Sequence, residues 1–76
     1  MNKSRREALR KIIDSIQQLN DNLETLRDEE EEYRDSIPEN MQGSERYEKA
    51  EEAVNLLSEA GDNLANAVDN IGSALE

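Results

Sequence analysis

The chain has no cysteine and no histidine. That removes disulfide bridges, thiolate nucleophiles, the usual zinc ligands and the usual proton shuttle at neutral pH. It also lacks tryptophan and phenylalanine, and has two tyrosines and a single proline. No apolar run approaches the ~20 residues that span a bilayer. The basic opening MNKSRREALRKII is not followed by the apolar core of a signal peptide, so a cytoplasmic location away from membranes is expected. No nucleophile and base can be paired and no glycine-rich phosphate loop is present, so the chain reads as a non-enzyme. No catalytic, cofactor-binding or metal-ligating residue is assigned.

What the sequence has in excess is negative charge: 19 acidic against 9 basic residues, a net charge of −10. Nucleic acid and anionic membranes repel such a chain, whereas a basic protein surface attracts it. With 34% hydrophobic and 37% charged residues, composition alone leans toward disorder. At 76 residues the chain is one domain at most, near the size where one core barely suffices. Periodicity therefore decides whether it folds.

That periodicity is helical. Ser4 and Glu7 form a Ser-x-x-Glu capping box, which predicts a first helix over about 4–36. Leu9, Ile12, Ile16, Leu19, Leu23 and Leu26, then Tyr33 and Ile37, step by three and four, with Glu30 the polar interruption. Pro38 cannot donate a helix hydrogen bond, and Asn40 and Gly43 add turn chemistry, so 37–43 is the connection, with room for one short helical turn. Ser44 is the expected N-cap of a second helix over about 45–74. Its stripe is Tyr47, Ala50, Val54, Leu57, Gly61, Leu64, Val68, Ile71 and Leu75. Two matching stripes predict an all-α fold, an antiparallel, coiled-coil-like two-helix hairpin forming one domain over 1–76.

In that hairpin the partners Tyr33 with Tyr47, Leu26 with Val54, Leu23 with Leu57 and Ile12 with Val68 have numbers with a constant sum of 80. The same register sets Lys11 opposite Asp69, Arg27 near Glu51, and Gly61 against Leu19. It also places the basic start of the first helix beside the acidic end of the second. Surface pairs of this kind contribute ~0.2–1 kcal/mol each and select orientation more than they stabilise.

One narrow seam falls short of the ordering cost of a chain this size. Ala53, Ala60, Ala67 and Ala74 recur every seven residues beside the second stripe, and Ile13 and Leu56 lie off the expected seam. These six residues form the expected self-association or partner face. Packing it on a second copy makes a dimer, a four-helix bundle; a different protein laid on it is the alternative, and alanine as a plain helix former is the bland one.

The acidic run Asp28–Glu32 points around its helix and cannot converge on a cation, so it reads as solvated surface. Glu30 faces Ala50, where the seam opens toward the loop and Arg34, Arg46 or Lys49 with water can solvate it. Lys3, Arg5, Arg6, Arg10 and Lys11 have no interleaved aromatics, which favours internal neutralisation over contact with phosphates. Pro38, Asn40, Met41 and Gln42 are candidate recognition residues in the loop, with Met41 or Ile37 capping the hairpin core as the competing role.

The stretch DSIPENMQGSERYEKAEEAVNLL, preceded by DEEEEY, resembles a group of small uncharacterised helical proteins encoded by bacteria of the Firmicutes type and their phages. The distinctive part is the connection Pro38-Glu39-Asn40-Met41-Gln42-Gly43-Ser44-Glu45-Arg46. The resemblance implies a phage or mobile-element context, and with it inhibition or modulation of a host protein such as a defence factor; it carries no catalytic or ligand residue. The leading expectation is thus a self-associating module that binds another protein. The alternatives are an acidic mimic of nucleic acid occupying a basic groove, and nucleic-acid binding through Arg5 and Arg6 of the basic N-terminal turn.

Overall fold

The computed structural model describes all 76 residues. Helix α1 spans Lys3–Asp35 and helix α2 spans Glu45–Leu75, joined through a 3-10 turn at Glu39–Met41. The two helices pack antiparallel in a rod with extents of 59 × 15 × 13 Å. No helix is long and apolar enough to cross a membrane.

Asn2, not Ser4, caps α1: its Oδ1 accepts the Arg5 N–H at 2.7 Å. Asparagine caps as well as serine, and starting earlier adds helical hydrogen bonds, so the expected Ser4–Glu7 box falls inside the first turns. In α2, Ser44 Oγ accepts the Tyr47 N–H at 3.3 Å, and Glu45 and Glu48 place negative charge on the first turn.

The connection is tight. Ser36 N–H and Ile37 N–H close α1 onto the carbonyls of Glu32 and Arg34, and Pro38 then turns the chain out. Met41 N–H returns to Pro38 O at 2.8 Å, and Ser44 N–H to Met41 O at 3.0 Å. No residue has positive φ, so Gly43 is not needed for a left-handed turn.

Burial is concentrated at this end. Ile37, Ala50 and Val54 are 3%, 3% and 7% exposed, and no other residue is buried. Ile37 therefore plugs the loop end, while Met41 stays 44% exposed. Farther along, Leu9, Ile13, Ile16 and Leu23 of α1 and Leu57, Leu64, Val68 and Ile71 of α2 are half-buried along the seam.

The stripe of α2 is the expected one; that of α1 is rotated. Ile13, Asn20, Arg27 and Arg34 stand beside the Leu9–Ile16–Leu23 line on the side facing α2, and all four are half-buried. Ile12, Leu19, Leu26 and Tyr33, expected in the seam, are instead 46%, 62%, 57% and 41% exposed. Ile13, expected off the seam, lies in it. Four side-chain contacts bracket the register: Arg6 Nη1 donates to Leu75 O at 2.6 Å and Asn20 Nδ2 to Gly61 O at 3.5 Å, pairs whose numbers sum to 81, while Tyr33 with Arg46 sums to 79 and Arg27 with Ser58 to 85.

The rotation has a steric and a solvation basis. Gly61 makes room for Asn20, whose Oδ1 lies 3.3 Å from where a Cβ on Gly61 would sit, so Gly61 faces Asn20 and not Leu19. Arginine can lay its methylene stem on the partner helix while its head stays wet. Arg27 does so, reaching Ser58 Oγ at 3.4 Å.

The charge pairs expected across the helices are not formed. All four ion pairs are local: Arg27–Asp28, Arg34–Glu31, Arg34–Asp35 and Lys49–Glu45. An adjacent carboxylate costs less side-chain entropy to reach than one on another helix. Glu30 is half-buried and makes none of these pairs.

Candidate functional site

Two long flanks run between the helices, and they differ in chemistry. At one, Arg46 Nε donates to the Tyr33 hydroxyl at 2.7 Å, with its guanidinium carbon 5.3 Å from the ring centroid. Stepping by seven from Tyr33 gives Leu26, Leu19 and Ile12; stepping by seven from Arg46 gives Ala53, Ala60, Ala67 and Ala74. On a helix, residues seven apart share one face. The Tyr33–Arg46 contact therefore joins a bulky apolar line on α1 to a line of alanines on α2.

Ala53, Ala60 and Ala67 are half-buried in this flank, and Ala74 is exposed at its far end. Leu56, 56% exposed, lies beside Ala53 and Ala60 on the outer side. Of the expected face, Ala53, Leu56, Ala60, Ala67 and Ala74 thus fall on one flank, and Ile13 belongs to the seam. Ile12, Leu19, Leu26 and Tyr33 are the members that sequence reasoning missed. The signal was present: α1 carries apolar residues on both sides of Leu9, Ile16 and Leu23, a wider stripe than one partner helix covers.

The outer rim of this flank is Ala8, Ser15, Asn22 and Glu29 on α1, and Lys49, Leu56, Asn63 and Asn70 on α2. With Arg5 and Arg46 on the inner lines, the flank holds four charged side chains, of which Glu29 is the one carboxylate. The other 18 of the chain's 19 acidic residues lie elsewhere.

The opposite flank is polar. A shallow open cleft of about 140 Å³ is lined by Asn20, Leu23, Glu24, Arg27, Leu57, Ser58, Gly61 and Asp62. Hydrogen bonding to Asp28 and its charge hold the Arg27 guanidinium above its usual pKa, and Asp35 does the same for Arg34. Both remain cations under all ordinary conditions. The cleft contains no nucleophile held by a base, and no three carboxylates converge anywhere on the rod.

The ends differ as well. At the loop, Pro38, Asn40, Met41 and Gln42 are all exposed and together form a small, partly apolar tip. At the open end, the Arg6 guanidinium binds the terminal carbonyl of α2, where the helix dipole is negative. Lys3, Arg5, Arg10 and Lys11 remain exposed and form no ion pair.

No family model matches the chain, and no curated protein or solved structure matches it either.

Proposed function

We propose that this hairpin is a non-catalytic protein-interaction module that pairs with a second copy through its apolar flank, forming a four-helix bundle. The loop tip and the acidic outer faces then remain free to bind another protein. The observation that carries this reading is the continuous exposed line Ile12, Leu19, Leu26 and Tyr33 on an otherwise highly charged rod. Three buried residues are a small return on the ordering of 76, each of which costs about 1.5 kcal/mol in conformational entropy. Covering the flank supplies burial that the isolated hairpin lacks.

The resemblance of the Pro38–Arg46 connection to proteins of Firmicutes and their phages supports a role as modulator or inhibitor of a host protein, with a defence factor as one target class. In that role the exposed loop residues Pro38, Asn40, Met41 and Gln42 make the contact.

Light scattering over a concentration series, with circular dichroism on the same samples, tests the module. The expected result is a helical species at twice the 8.7 kDa chain mass. A helical species at 8.7 kDa throughout contradicts self-association.

A further inference from the structure

Resting on the dimer reading above, we infer how the second copy is oriented: its loop lies at the same end, and α1 of each hairpin packs on α2 of the other. The two-fold axis then runs parallel to the helices. The occupant of the flank is a second copy because the rim is self-complementary, with Glu29 on α1 and Lys49 on α2 brought together when two copies face each other. Two chains of net charge −10 repel each other across most of their surface. This flank, with a single carboxylate among four charged groups, is where two copies can approach at least cost. A face 59 Å long and 15 Å across between Cα extremes is large enough for the ~800 Å² per partner of a stable interface.

The orientation follows from matching large side chains to small ones. On the apolar flank the Tyr33–Arg46 contact sums to 79, so stepping by seven along each helix sets Leu26 at the level of Ala53 and Leu19 at that of Ala60. A two-fold axis parallel to the helices preserves those levels between copies. Leu19 of one copy then falls level with Ala60 of the other, and Leu26 level with Ala53. Bulky side chains enter the spaces that alanine leaves, as ridges enter grooves. Glu29 and Lys49 also face each other across the outer rim; both are exposed, Glu29 makes no ion pair, and Lys49 can exchange its solvent-exposed pairing with Glu45 for one with Glu29 of the other copy.

Reversing one copy removes both matches. Leu19 then opposes Leu26 and alanine opposes alanine, crowding one half of the interface and leaving gaps in the other. Glu29 faces the Ser15 region, and Arg46 and Lys49 face Ala67 and Asn63, so no opposite charge lies across the interface. The parallel arrangement instead sets two copies of the Pro38–Gln42 tip side by side, a bivalent surface for one symmetric partner.

Because the chain has no native cysteine, a single label at Gln42→Cys reports the arrangement by electron–electron distance measurement on the full chain. Adjacent helices lie 8–10 Å apart, so loops at one end put the labels within about 30 Å of each other. A distance approaching the 59 Å length of the rod overturns the orientation while leaving the dimer intact. No intermolecular distance, with a monomeric mass, overturns the dimer reading and this inference with it. As a second check, Glu29→Lys and Lys49→Glu should each weaken dimerisation several-fold, and the double variant should restore it. A double variant weaker than either single one contradicts the pairing.

Discussion

The two flanks of the hairpin are built from the same two helices, yet one gathers leucines and alanines while the other gathers carboxylates. On the apolar flank, Leu19 and Leu26 are 62% and 57% exposed with nothing above them. On the polar flank, Arg27 spans the gap to Ser58, surrounded by Glu24, Asp28 and Asp62. The difference shows that the helix-helix seam is not where this chain keeps all its hydrophobic capacity. A hairpin stable alone would turn its leucines inward; this one turns Asn20, Arg27 and Arg34 inward and leaves four bulky apolar side chains to the outside.

The strongest way to break the contrast is to make the apolar flank resemble the polar one. Leu19→Asp combined with Leu26→Asp should abolish dimerisation, raising Kd more than about 1000-fold, since each covered leucine contributes about 1.5–3 kcal/mol and counts twice in a two-fold dimer. Sedimentation equilibrium reads the effect. Gln17→Glu with Asn55→Glu, on exposed surface toward the polar flank, should leave the mass unchanged.

A change in the seam between the flanks separates folding from association. Ile37→Ala removes the largest of the three buried side chains and should lower the unfolding free energy by about 2–4 kcal/mol in urea titrations at fixed concentration. Its loss should melt the loop end first, because Ala50 and Val54 pack there as well.

The smallest effect is expected at Gly72, which lies off the apolar flank. A Cβ there meets nothing within 4 Å, so Gly72→Ala should raise stability by about 0.5 kcal/mol, with no change in mass. Gly61→Ala differs, because its Cβ would press on Asn20 Oδ1 at 3.3 Å and offset the gain in helix propensity.

The hairpin, the antiparallel order of its helices and the stripe of α2 were legible in the sequence, because α2 has one apolar stripe and Ser44 one obvious cap. Helix α1 was not legible to the same degree. Leu9, Ile16 and Leu23 are flanked by Ile12, Leu19 and Leu26 on one side and by Ile13 on the other, so spacing alone allows either pair of lines to face α2. The choice depends on the fit of Asn20 to Gly61 and on the reach of Arg27 to Ser58. Neither is a periodic signal. The alanine line was visible as a possible interface, but the bulky line beside it was assigned to the seam. The Arg27–Glu51 pair failed because Asp28 competes at lower entropic cost, and Lys11 forms no ion pair with Asp69 or with any other carboxylate.

The central claim is that a second copy covers the apolar flank. The most direct measurement is the broadening of methyl resonances by a soluble paramagnetic agent, comparing Leu19 and Leu26 with Met41. In the hairpin alone, Leu19 and Leu26 are more exposed than Met41, at 62% and 57% against 44%. The account predicts the reverse in solution, with the leucine methyls protected and the Met41 methyl broadened. Leucine methyls broadened as strongly as that of Met41 would contradict it.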